Sequence, residues 1–252
     1  MPSGSIPMIT GVVYAYLAFA VLALLWYSRR FTRRRALVFL AASALLGFLV
    51  FAPVFPFMVQ EVVLGNLPVL IGLVVFIVLV FLAGRIICGQ VCAVGAVQEL
   101  VYLIPVKKHR RTANRRQVAI RAGVFLVILV AGAGFSVNLL ARLGLRAFFN
   151  LRVASVPFVI FLAILLVSVF FYRPFCRYIC PYGALLAPVS SRAVYRLRRT
   201  DACINCGKCE RACPTGAADP DARLGECYLC GRCTEACPVE GALVYARKGG
   251  KD

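Results

Sequence analysis

The stretch "RPFCRYICPYGALL" (residues 173–186) closes a long apolar run and carries Cys176 and Cys180, four residues apart, with Pro181 directly after. It has a partner upstream. "GRIICGQVCAVGAV" (84–97) aligns with "YRPFCRYICPYGAL" (172–185): an arginine three residues before the first cysteine, a second cysteine four on, then glycine and alanine, at a repeat distance of 88 residues. Each copy directly follows an apolar segment of membrane-spanning length. The repeat therefore reads as two-helix units, each ending in a cysteine pair, with both pairs on the same face.

Composition supports a membrane setting. The chain has 252 residues, 62% of them hydrophobic, whereas soluble domains lie near 45–50%. Five apolar stretches, at 9–27, 36–58, 67–84, 118–140 and 153–172, are long enough to cross a bilayer, which takes about 20 residues. Pro53, Pro56, Pro68 and Pro157 fall near their ends, where proline costs least. Arg121 sits about one turn inside the fourth, close enough to the interface to snorkel. The segment 86–105 follows the third span too closely to cross on its own, so a helix in the interface or dipping back into the protein is expected. Residues 174–191 read the same way.

The net charge of +19 would, taken alone, suggest nucleic acid or acidic lipid. Its placement gives a simpler account. Lys and Arg number five in 28–35, seven in 85–117 and six in 173–199, against none in 59–66 and three (Arg142, Arg146, Arg152) in 141–152. The positive-inside rule then puts the N-terminus outside and the C-terminus in the cytoplasm, with no nucleic-acid partner. "MPSGSIPMIT" (1–10) has no basic start and runs straight into the first span, so no cleavable signal peptide is expected. If 9–27 does not cross, four spans remain with both termini inside.

From Thr200 the sequence turns short, polar and cysteine-dense, marking a boundary after a basic linker, "SRAVYRLRR", expected along the membrane surface. "CINCGKCERACP" (203–214) and "CYLCGRCTEACP" (227–238) both read C-x2-C-x2-C-x3-C-P, offset by 24 residues. This is the bacterial ferredoxin run, in which the fourth cysteine serves the other [4Fe–4S] cluster. One cluster is thus expected on Cys203, Cys206, Cys209 and Cys237, the other on Cys227, Cys230, Cys233 and Cys213. Pro214 and Pro238 turn the chain away after the last ligand. Zinc would favour paired ligands with histidine, and no histidine occurs here. Disulfides would need an oxidising compartment.

The expected domains are 1–199, a transmembrane part with the two cysteine pairs; 200–245, a cytoplasmic α+β ferredoxin domain with two [4Fe–4S] clusters; and 246–252, a basic tail. For Cys88, Cys92, Cys176 and Cys180 the residues leave three readings open. Four thiolates are what a third iron–sulfur cluster takes, soft sulfur also suits Cu(I), and two dithiols can cycle through disulfides. The i, i+4 spacing places each pair on one helical face.

At these motifs the chain resembles the NapH/MauN family of membrane-bound polyferredoxins, whose core recurs in NosR-type and CcoG-type proteins. The resemblance covers residues 67–245. It departs at Cys92-Ala93, where the family has Cys-Pro, and in the five spans where four are usual. It implies electron transfer between a membrane donor, a quinol above all, and a partner redox protein; in the CcoG case it implies copper reduction or assembly. A redox-sensing regulator is the third reading. With no nucleotide loop, no Ser-His-Asp set and only ten acids, a subunit of an oxidoreductase system fits better than a stand-alone enzyme.

Among the remaining candidates, His109 is the only histidine, which excludes a bis-histidine haem; it reads as a solvated loop residue. Arg85 and Arg173 read as interfacial anchors or as counter-charges of the cysteine site. Glu99, beside Gln98, could carry protons from a quinol or sit solvated on an interfacial helix. Tyr178 and Tyr182 read as interfacial aromatics.

Overall fold

The computed structural model describes residues 5–51, 55–109, 115–135, 139–219 and 224–247. Pro53, the 110–114 part of the basic loop and the 248–252 part of the basic tail lie outside them. The helices run α1 (Ser5–Tyr27), α2 (Arg33–Val50), α3 (Pro56–Val63), α4 (Leu67–Ala83), α5 (Ala93–Val101), α6 (Arg115–Phe135), α7 (Leu139–Arg142), α8 (Leu145–Phe149), α9 (Val156–Phe170), α10 (Pro181–Ser190), α11 (Lys208–Ala212) and α12 (Arg232–Ala236).

Two of these helices are long and apolar enough to cross a membrane, over Thr10–Tyr27 and Arg116–Phe135; Leu67–Ala83 and Val156–Phe170 are shorter apolar helices. The expected second span is broken. α2 starts three residues early, on a Thr32 cap whose hydroxyl accepts from the Arg35 N–H. It stops where Phe51 turns left-handed and returns its N–H to Gly47, and Pro56 then opens α3, proline being suited to a first helical turn. Five spans are therefore not seen as five uninterrupted helices.

Of the two readings of 86–105, a helix in the interface or one dipping back into the protein, the second holds. The segment forms a π-helical turn (Ile87–Val91) and then α5, and from Ile86 to Glu99 nearly every side chain is buried. α5 packs against α2 and α9, while α6 packs against α10 and the second π-helical turn (Phe175–Ile179). A core of Ile86, Ile87, Val91, Ala93, Phe149, Phe161 and Phe175 results.

The second half of the basic linker is a strand. β1 (Tyr195–Arg199) pairs antiparallel with β2 (Leu243–Arg247), Tyr195 opposite Arg247. The sheet of the cysteine-rich tail thus begins before residue 200. Tyr245 ties it to the helices, its hydroxyl donating to the Ala83 carbonyl at 2.9 Å.

Candidate functional site

Each cysteine pair straddles the end of a π-helical turn, the first cysteine inside it and the second directly after it, and the two turns stand 88 residues apart like their sequences. The second cysteine of each pair leaves the turn extended (Cys92 ψ 122°, Cys180 ψ 117°) and caps the next helix. In the second copy the sulfur also meets the helix start, where Gly183 N–H donates to Cys180 Sγ at 3.4 Å. The π-helical turns correct the α-helical expectation: one thiol stands in a widened turn and the other directly after it, instead of one above the other on a helix face.

The topology brings all four together. Cys88, Cys92, Cys176 and Cys180 line one cavity with Pro56, Arg85, Tyr182 and Gly183, and each is 5–7% exposed. Gln98 donates to Cys176 Sγ at 3.3 Å and accepts from the Phe175 N–H. Burial first, then the nearby Cys176, pushes the Cys92 thiol up to about 12. Burial raises Cys176 and Cys180 as well. Thiols so placed hold their protons against water and yield them to a metal.

In the tail, Asn205 and Leu229 take left-handed φ of 52° and 50°, and Gly207 and Gly231 do so at 67° and 79°. The two motifs, 24 residues apart, thus wind their backbones alike around the second cysteine. Cys209 and Cys233 are buried on α11 and α12, which pack together; Cys203, Cys213, Cys227, Cys230 and Cys237 are half-buried, and Cys206 is exposed. A cavity of about 270 Å³ is lined by Cys213, Cys227, Cys230 and Cys233, with Tyr228 and Arg199 on its wall. That set takes three cysteines of the second motif and the fourth of the first. Burial pushes Cys227 up to about 12.

Among the described residues, no three His, Cys, Asp or Glu side chains crowd together as a single ion would require. A tetrahedral zinc, about 2.3 Å from each sulfur, needs that crowding. Four cysteines in each set is the donor number that a [4Fe–4S] cluster takes, one thiolate to each iron.

Several polar residues that the sequence placed at an interface are internal. Arg121 is 3% exposed and donates to Glu226 at 2.7 Å. Glu99 is 3% exposed and clamped by Arg173, at 3.0 Å, and by Arg232. Burial alone would raise its carboxyl, but the two arginines outweigh it and hold it below the usual range. Tyr182 is buried and stacks on Phe55, with 5.6 Å between ring centres. His109 is exposed, as a loop residue should be.

The sequence reading missed Glu226 and Tyr228. Glu226, next to Cys227, pairs with both Arg85 and Arg121. Tyr228 lies between two cysteines of the tail motif yet packs under the guanidinium groups of Arg85 and Arg173, 4.4 and 5.1 Å from its ring centre. In a chain with only ten acids, an acid beside a cysteine motif was the available signal.

Comparison with known proteins agrees with this geometry. A 4Fe–4S binding domain family matches residues 66–112 and again 153–199, one match over each cysteine pair. Two further 4Fe–4S binding domain families match 198–219 and 227–242. The chain is similar to the NapH/MauN group of ferredoxin-type proteins. It is 31% identical over 187 residues to the methylamine utilization ferredoxin-type protein MauN of Methylorubrum extorquens, covering 69% of this chain and 63% of that one. It is 26% identical over 178 residues to the putative electron transport protein YccM of Escherichia coli, covering 62% and 50%. An uncharacterized protein of Methanocaldococcus jannaschii is 31% identical over 151 residues, covering 56% and 63%. The chain thus spans half to under two thirds of these relatives. No solved structure matches.

Proposed function

We propose that this chain is a membrane-bound iron–sulfur electron-transfer protein, passing electrons between a membrane donor, a quinol, and a partner redox protein. Cys203, Cys206, Cys209 and Cys237 would hold one [4Fe–4S] cluster, Cys227, Cys230, Cys233 and Cys213 a second, and Cys88, Cys92, Cys176 and Cys180 a third. Such clusters supply one-electron chemistry, and with every iron on a thiolate they offer no open site for bond chemistry.

The observation that carries this reading is the seam at Tyr228. Its carbonyl lies against Gly89, the neighbour of Cys88, and its ring lies under Arg85 and Arg173. Gln90 reaches Leu229 and Arg85 reaches Gly225 in the same seam. The loop of one tail cluster is therefore built onto the paired-cysteine site, which gives a relay its contiguity. The exposed Cys206, with Ile204 64% exposed beside it, marks the end facing a partner.

The membrane reading rests on the outer faces of the helices. Leu17 and Leu24 on α1, Ile71 on α4, Leu126, Val127 and Val130 on α6, and Leu166 on α9 are each at least 60% exposed. Lipid would cover such apolar stripes. The broken second stretch presents the same kind of face at Val38 and Leu49 on α2, so α2 and α3 together are counted as one crossing. With the charge asymmetry, this favours five crossings, the N-terminus outside and the tail in the cytoplasm. Family matches over both pairs favour a cluster there over copper or a dithiol, and the burial of all four sulfurs leaves a substrate ion no easy approach.

Iron and labile sulfide per chain, measured on anaerobically purified protein, test this. About twelve irons are expected. About eight would confine the clusters to the tail, and far fewer, with zinc present, would overturn the electron-transfer reading.

A further inference from the structure

The two cysteine-pair copies exchange their arginines. Arg173, three residues before Cys176, crosses to the other copy and donates to the carbonyls of Cys88 and Gly89. Arg85, three residues before Cys88, lies over the second copy: a Cβ on Gly183 would stand 3.3 Å from Arg85 Nη2. The equivalent atom on Gly95, one repeat earlier, would stand 3.1 Å from Arg173 Nη1. Arg85 and Arg173 are 1% and 0% exposed.

Their acids are shared. Glu226 serves Arg85 at 3.9 Å and Arg121 at 2.7 Å, while Glu99 serves Arg173 at 3.0 Å and also Arg232. Four arginines thus divide two carboxylates, two more positive than negative charges among these six groups. The Arg85 Nε is buried without a hydrogen-bond partner. Uncompensated buried charge is costly. Neutral thiols or disulfides cannot balance it. Four thiolates around an oxidised cubane core supply two negative charges, and one-electron reduction adds a third.

We propose that Arg85 and Arg173 are the exchanged counter-charges of the paired-cysteine cluster and set its reduction potential. This rests on the three-cluster reading above. A cation held in a dry shell favours the more negative, reduced form, so its removal must lower the potential.

The test is a potentiometric titration followed by electron paramagnetic resonance on full-length protein, with iron content, for wild type, Arg173→Gln and Arg173→Lys. In Arg173→Gln the reduction constant of the paired-cysteine cluster should fall at least tenfold, 59 mV for a one-electron couple. Arg173→Lys, which keeps the charge, should recover most of it. Twelve irons in Arg173→Gln with a wild-type potential overturns the inference alone. Eight irons in the wild type, with no third signal, removes the cluster and the inference together. If Arg173→Gln is recovered without its cluster, Glu99→Gln carries the test with opposite sign. Freeing Arg173 from its acid must raise the potential, and an unchanged or lower value overturns the proposal.

Discussion

A Cβ on Gly89 would stand 2.0 Å from the carbonyl oxygen of Tyr228. Both partners are backbone, so no rotamer relieves the overlap. Gly89→Ala must push the 224–230 loop off the paired-cysteine turn. The tail keeps its own ligands and should retain its irons, while amides 225–230 exchange faster by at least tenfold. Hydrogen exchange with mass spectrometry reads this, and unchanged protection at 225–230 would show that the seam does not form.

Glu226 should matter strongly to stability. It joins the tail to α6 through Arg121 and to the first cysteine pair through Arg85, all out of solvent. Glu226→Gln leaves two buried arginines short of an acid, a loss of about 3–5 kcal/mol for a broken buried pair. Glu210, paired with Arg199 at 2.6 Å but a quarter to a third exposed, gives the contrast: Glu210→Gln should cost under about 1 kcal/mol. Thermal unfolding in detergent of the two variants should separate them clearly, and equal midpoints would refute the ranking.

The split between what was legible and what was not follows from range. Cysteine spacing is local, so the two tail motifs and the 88-residue repeat stood out, and family matches fall over both. Apolar length alone could not show that 36–58 breaks at Phe51, because the break rests on a left-handed residue and a following proline acting together. Nor could spacing show that Cys88 lies in a π-helical turn and Cys92 just after it, since i, i+4 fits an ordinary helix as well. Arg121, Tyr182 and Glu99 read as interfacial because their partners, Glu226, Phe55 and Arg232, lie 105, 127 and 133 residues away. Long-range pairing of that kind leaves no periodic trace.

Glu99 predicts a pH signature. Its carboxyl is held below the usual range by Arg173 and Arg232 against the opposing effect of burial. A depressed carboxyl contributes stability above its unfolded value, about 4.3, and loses it as pH falls through the folded value. The stability gap between wild type and Glu99→Gln should therefore be constant from pH 7 to 5 and shrink below about 4.3. Unfolding midpoints of both proteins across that range give the gap. One that widened on acidification would mean that Glu99 is not ionised in the folded protein.

Cys213 belongs by sequence to the first tail motif and by position to the second. It lines the cavity of Cys227, Cys230 and Cys233, and its Sγ lies 3.4 Å from the Thr215 hydroxyl at the end of α11. Cys213→Ser should therefore disturb the same cluster as Cys227→Ser and leave intact the one that Cys209→Ser disturbs. Electron paramagnetic resonance of the reduced variants gives the answer, because loss of either cluster removes the magnetic coupling but leaves a different residual signal. Matching residual spectra for Cys213→Ser and Cys209→Ser would mean that each motif closes its own cluster. The cavity argues against that arrangement, since a chain that has turned at Pro214 presents Cys213 toward α12 and the second motif.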